Sequence, residues 1–202
     1  MGLVYSKNTK YGSKVGIWKI TETESELKDR LLHLDDIPTV KNHRTMQWMA
    51  ARVLIQELYK EDGLQIKKNK FGKPHLKHSD KHISITHCGD YAAAIISDND
   101  SAGIDLEKVN PRILRVGHKF AVSEEKEILA KHTPEMALHI IWGVKESLYK
   151  LYGRQEIDFI ENLKIVGVKE NVVLSSISKG AFSAQVEMEY EMHNEFLLVH
   201  TL

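Results

Sequence analysis

The apolar positions of this chain follow two periods, and the switches between them mark out its elements. Leu3 to Tyr5 and Val15 to Ile20 are short apolar or alternating runs around the polar stretch Ser6 to Lys14, which predicts strand, turn and strand. Thr21 or Thr23 then caps a helix carrying Leu27, Leu31, Leu32 and Leu34, with Glu22, Glu24 and Glu26 set against its N-terminal dipole and Pro38 ending it. From Thr39 to about Lys60, Val40, Met46, Met49, Val53, Leu54 and Leu58 recur at helical spacing, and Glu61-Asp62-Gly63 stops that second helix. Ile66 to His75 has no clear period; Gly72 and Pro74 break it, so it is expected to be a basic loop. His82 to Thr86 alternates, Gly89-Asp90 is a hairpin turn, and Tyr91 to Ser97 is apolar throughout, as in a buried strand.

The second half has a similar layout. The strand around Ile104 to Glu107 comes first; Ser123, followed by Glu124, Glu125 and Glu127, caps a short helix through Lys131. Thr133-Pro134-Glu135 opens a helix from Pro134 to Tyr152, which Gly153 ends. Asn162 to Val168, Val172 to Ile177, Phe182 to Met188 and Phe196 to His200 are predicted as four strands, with turns at Lys169-Glu170-Asn171 and Lys179-Gly180. The expected fold is α+β, with two similar lobes at 1–101 and 102–202.

Composition narrows the class. Among 202 residues, Lys+Arg and Asp+Glu are equal at 28 each, so there is no overall basic field for wrapping nucleic acid. The single cysteine, Cys88, excludes an internal disulfide and suits a reducing compartment. The start of the chain lacks a basic-then-apolar signal pattern, and no apolar run approaches membrane-spanning length. These features lead to the expectation of a cytoplasmic protein with neither membrane nor nucleic acid as partner.

Two pairs of charged residues suggest chemistry. Asp105 and Glu107 stand two apart on a strand, so both carboxylates leave one face, and acids held on a buried strand need a metal or a base to neutralise them. Oxygen-only ligands favour Mg²⁺, with Mn²⁺ possible. Glu146 and Lys150 stand four apart on a helix and share a face. The competing readings are two solvated acids on an edge strand and a surface ion pair on the helix. The lysine-rich stretch Lys67 to Lys81 reads either as a solvated surface or as a phosphate contact through Lys73. His75, His78, His82 and His87 have no accompanying thiol spacing that would make a zinc site, and a thiol pair of His87 with Cys88 lacks a third group to orient it.

Gly103-Ile104-Asp105-Leu106-Glu107 and Trp142-Gly143-Val144-Lys145-Glu146-Ser147-Leu148-Tyr149-Lys150, taken together, resemble the two signature segments of the 4′-phosphopantetheinyl transferases of the double-length, surfactin-synthetase-activating type. His43-Arg44, Phe71-Gly72-Lys73-Pro74, Ile83 to Gly89, and Lys119-Phe120 followed by Ser123-Glu124-Glu125 match further features of that family in order. Two departures stand out. Ser84, Thr86 and Cys88 fill the places of the family's Asn and two Ser, and the basic cluster often found upstream of the helix arginine is reduced to Lys28, Arg30 and Lys41.

The resemblance implies a pseudo-dimer of two similar lobes, each an antiparallel sheet packed by helices, with the site in the cleft between them. It implies an enzyme that transfers 4′-phosphopantetheine from coenzyme A to a serine of an apo acyl or peptidyl carrier protein, releasing 3′,5′-ADP. Asp105, Glu107 and Glu146 would hold Mg²⁺, and Glu146, directly or through a bound water, would take the serine proton. Lys150 would bind a phosphate and steady the leaving group. Thr86 and His87 would contact phosphates, Arg44 the 3′-phosphate, and Lys73 and Pro74 would line the adenine side. A monomer is expected, since both lobes lie in one chain. The alternatives are another Mg²⁺-dependent phosphoryl or nucleotidyl transferase, and a silent module binding coenzyme A or a carrier.

Overall fold

The computed structural model describes residues 2–33, 43–61, 63–99 and 102–202. They form two compact units, Met1–Ala102 and Gly103–Leu202, each with its own apolar core. Both units combine an antiparallel sheet with one long helix packed on it, so the chain is α+β.

In the first unit β1 (Leu3–Asn8) and β2 (Lys14–Lys19) pair antiparallel, Leu3 opposite Trp18 and Asn8 opposite Lys14. Thr23 caps α1 (Glu24–Asp29) through a box in which its hydroxyl accepts from Glu26 N–H at 3.3 Å while the Glu26 carboxylate accepts from Thr23 N–H at 2.7 Å. The helix expected to run on through Leu34 ends at Asp29. The Leu31 N–H turns back to the Lys28 carbonyl, Leu27 and Leu31 enter the core, and Leu32 is 72% exposed, so the leucine run does not follow a single helical face. Leu34, Pro38 and the expected start of the second helix at Thr39 and Val40 lie outside the described residues.

α2 (His43–Tyr59) lies across β2 and β6, bringing Met49, Ala50, Val53, Leu54 and Leu58 into the same core as Trp18, Ala92, Ala94 and Ile96. The alanines of β6 leave room for the helix to sit close to the sheet. The stretch read as a basic loop is a small hairpin, β3 (Ile66–Lys68) with β4 (Pro74–Leu76). The Asn69 side-chain carbonyl accepts from Phe71 N–H at 2.9 Å and Lys73 N–H at 3.0 Å, which closes its turn. Lysines hide its alternation, since only Ile66 and Leu76 are buried. β5 (His82–Cys88) and β6 (Tyr91–Ser97) form the expected hairpin about Gly89-Asp90, and the sheet order is β1-β2-β6-β5.

The second unit begins with β7 (Ile104–Lys108). After it come α3 (Ile113–Val116), a 3₁₀ turn (Gly117–Lys119), α4 (Ser123–Ile128) and α5 (Pro134–Tyr152). The sequence reading did not resolve α3 and the 3₁₀ turn, each too short to show a period. Ser123 is the first helical residue of α4 and not its cap; the Val122 N–H is satisfied by the Glu125 carboxylate at 3.1 Å. Thr133 caps α5 by accepting from Met136 N–H, and Gly153 ends it in the left-handed conformation. β8 (Leu163–Lys169), β9 (Val172–Lys179), β10 (Phe182–His193) and β11 (Phe196–Thr201) complete a sheet of order β7-β11-β10-β9-β8. β7 precedes the other strands of this sheet in sequence yet pairs with β11, the latest of them, Asp105 opposite Val199 and Glu107 opposite Leu197.

α5 packs on β7 and β11. Two glycines set how closely. A Cβ on Gly103 would lie 2.2 Å from the Ser147 carbonyl oxygen, and one on Gly143 would lie 2.7 Å from Val199 Cγ2. The Ser147 hydroxyl donates to the Val199 carbonyl at 3.2 Å, fastening the helix to β11. The side chains that leave β7 toward α5 therefore meet it at short range.

Candidate active site

Those side chains are Asp105 and Glu107. They share a face with their cross-strand partners Val199 and Leu197, both members of the core beneath α5. Asp105 is buried and Glu107 half-buried. From α5, Trp142, Glu146 and Lys150 recur at intervals of four and so present one face of the helix. The structure brings four of the expected site residues together on this second unit.

Lys150 does not form the surface ion pair with Glu146 that its spacing allowed. Its ammonium donates to Asp105 Oδ1 at 2.6 Å and to the Ile104 carbonyl at 3.0 Å, joining the last turn of α5 to the head of β7. The Trp142 indole N–H donates to Glu107 Oε1 at 3.4 Å. Burial, then the charge of Asp105, then that of Glu146 raise the Glu107 carboxyl to about 7, against the Trp142 hydrogen bond and Lys150, which lower it. Glu146 is raised by burial and by Asp105, opposed by Lys150. One ammonium among three carboxylates leaves an excess of negative charge in a partly dry site.

Among the described residues no three His, Cys, Asp or Glu side chains are already gathered at metal-holding distance. The donor set nonetheless fits a hard divalent cation. It is all carboxylate oxygen, and a cation would relieve the repulsion that raises Glu107 and Glu146. Asp105, Glu107 and Glu146 are the residues that could hold it.

Beside Glu107 opens a cleft of about 660 Å³, lined on its apolar side by Ile113, Val116, Phe120, Trp142 and Phe159 and at its rim by Arg112 and Lys119. Phe120 and Phe159 pack on the Trp142 indole, with ring centres 5.0 and 5.5 Å away. His139, one turn before Trp142, has its Nε2 2.9 Å from the Asn110 backbone nitrogen, and burial lowers its pKa. Of the residues that line the cleft, sequence reasoning named only Glu107 as functional. The signal of the others is faint, because α3 and the 3₁₀ turn carry too few residues for a period and the aromatic rings come from three separate segments.

The remaining expected residues lie in the first unit. Arg44 is exposed in the first turn of α2. That turn is tied to the β5–β6 hairpin, since His43 Nε2 lies 2.7 Å and Gln47 Nε2 2.8 Å from the Gly89 carbonyl oxygen. Thr86 and His87 precede that turn on β5, Thr86 buried and His87 exposed. Lys73 and Pro74 sit at the β3–β4 turn; Lys73 is half-buried, and burial lowers its pKa. α2 and the β5–β6 turn thus form one anchored neighbourhood, and the β3–β4 turn a second.

Comparison with known proteins gives concordant findings. Residues 101–195 match the 4′-phosphopantetheinyl transferase superfamily. The chain is 29% identical over 132 residues to the 4′-phosphopantetheinyl transferase ffp of Bacillus subtilis, covering 62% of this chain and 56% of that protein. It is 29% identical over 142 residues to the 4′-phosphopantetheinyl transferase Sfp of Bacillus subtilis strain 168, covering 67% and 61%. A third relative, 4′-phosphopantetheinyl transferase psf-1 of Bacillus pumilus, is 27% identical over 87 residues, covering 41% and 37%. The chain spans between about a third and three fifths of the length of these three relatives.

Proposed function

We propose that this chain, whose residues 101–195 match the 4′-phosphopantetheinyl transferase superfamily, transfers 4′-phosphopantetheine from coenzyme A to a serine of an apo acyl or peptidyl carrier protein. In this reaction the serine Oγ forms a bond to the β-phosphorus of the coenzyme A diphosphate. The bond from that phosphorus to the bridging oxygen breaks, and 3′,5′-ADP leaves.

The observation that carries the reading is the convergence of Asp105, Glu107, Glu146 and Lys150, three acids and one base, on the meeting face of β7 and α5. Asp105, Glu107 and Glu146 would hold Mg²⁺ or Mn²⁺. When bound, the cation supplies charge neutralisation at the diphosphate oxygens. Lys150, whose ammonium already reaches the head of β7, binds a phosphate and offsets charge on the departing nucleotide. Glu146, made more basic by burial and by Asp105, receives the proton of the serine hydroxyl, directly or through one water.

To the first unit we assign contacts to the rest of coenzyme A: Thr86 and His87 to phosphates, Arg44 to the 3′-phosphate, Lys73 and Pro74 to the adenine side. The anchoring of the Arg44 turn to the hairpin beside His87 supports this assignment. Among the described residues no helix is long and apolar enough to cross a membrane. We assign the protein to the cytoplasm as a monomer.

The test is to incubate the purified protein with an apo-carrier, coenzyme A and Mg²⁺ and to weigh the carrier by mass spectrometry. The expected outcome is one added phosphopantetheine mass, lost when a chelator is present. An unmodified carrier sinks the reading; nucleotide hydrolysis without coenzyme A would point to a different phosphoryl enzyme.

A further inference from the structure

Lys145 precedes Glu146 in sequence but points the other way, into the core, and its side chain is wholly buried. All three of its protons are placed: Nζ donates to the Phe120 carbonyl at 2.7 Å, the Phe159 carbonyl at 2.9 Å and the Glu125 carboxylate at 2.8 Å. Glu125 is equally occupied, since its other contacts are the Val122 N–H and the Ile165 N–H, each at 3.1 Å. A buried ion pair has no need of two extra backbone carbonyls for charge balance, and these two belong to the residues whose rings flank Trp142. Trp142 in turn donates to Glu107. An unbroken set of contacts therefore runs from a core lysine to a site carboxylate.

We propose that Lys145, paired with Glu125, is a positioning residue: by fixing the Phe120 and Phe159 backbones it holds both rings against Trp142, and through the Trp142 indole it orients Glu107. The inference rests on the transferase reading for its kinetic consequence but not for its structural one. Residues that support metal ligands or reacting groups typically change affinity or activity 10- to 100-fold when removed, about the range expected here. Pure scaffolding would lower stability and leave the turnover of the folded fraction unchanged.

The experiment compares Lys145→Met, Glu125→Gln and Trp142→Phe, alone and combined, well below their melting temperatures. Without metal or substrates, the Trp142 indole N–H resonance in ¹⁵N-edited spectra should shift or broaden in both Lys145→Met and Glu125→Gln. In the complete assay kcat should fall about tenfold or more, and Lys145→Met should add little further loss on top of Trp142→Phe, because both act through one route. A wild-type indole resonance, a wild-type kcat, or losses that simply multiply would each overturn the inference. If neither Lys145→Met nor Glu125→Gln folds, the pair is scaffold alone and the inference falls. If the wild-type protein transfers nothing, the function reading fails and the indole resonance still decides this one.

Discussion

The Lys150 ammonium lies 2.6 Å from the buried Asp105 carboxylate, so in this structure the lysine of α5 is the counter-ion of the acid on β7. Breaking a buried pair from one side costs several kcal/mol; because Lys150 keeps about a quarter of its side chain exposed, we expect Lys150→Met to lose about 2–4 kcal/mol. A divalent cation held by Asp105 competes with that ammonium. Thermal melts with and without millimolar Mg²⁺ should show a larger Mg²⁺-induced rise for Lys150→Met than for the wild type. Equal rises would mean that the cation does not use Asp105.

Glu107 gives a pH dependence with a defined sign. Its folded pKa is raised to about 7 from an ordinary value near 4.5, chiefly by burial, so its contribution to stability is complete below about 4.5 and is lost as pH rises through about 7. Glu107→Gln keeps the shape and never ionises. The melting temperature of the variant relative to wild type, measured without divalent cations, should climb between pH 5 and 7 and level off above that window. A flat difference would show that Glu107 ionises as freely in the folded protein as in the unfolded chain.

Gly143 offers a packing test. Replacing a mid-helix glycine by alanine ordinarily gains about 1 kcal/mol, yet here the added methyl would stand 2.7 Å from Val199 Cγ2 in a core with no slack. We expect Gly143→Ala to destabilise by about 1–3 kcal/mol. Val199→Ala should then cost less in the Gly143→Ala background than alone, and denaturant titration of the four proteins of the cycle measures that coupling. Simple additivity would place the strain elsewhere.

Glu146→Gln removes the proposed proton acceptor while keeping its size. Transfer to the carrier should fall by at least about 100-fold, with coenzyme A binding retained in calorimetric titration. Near-wild-type transfer would remove Glu146 from that role.

Much of this was legible from the residues because the informative elements are long. The helix Pro134 to Tyr152 carries its own stop and start signals, and the four strands that follow it are separated by turn residues. Asp105 and Glu107 could be placed on one face of a strand by count alone. What could not be read was set by contacts distant in sequence. Lys150 looks toward Glu146 by spacing but bonds to Asp105, 45 residues away. Lys145 sits between Ile141 and Leu148 on the buried stripe of α5, where a charge demands a partner; the stripe shows that need but not that Glu125 meets it. The β3–β4 hairpin was read as a loop because its lysines mask two inward positions, and α1 stops short because the Leu31 N–H folds back on Lys28.

Among the described residues the two cores have no member in common, and the strands of the first sheet pair within the first 97 positions. During synthesis, then, the first hundred residues can close their sheet and bury α2 while the second half is still being made. The second half is different, since β7 opens the second unit but pairs with β11, Asp105 opposite Val199, so it must wait for a strand made much later. Until β11 has been made, Asp105 and Glu107 stand on a strand without that partner, so the acidic face of β7 completes late in the folding of the second unit.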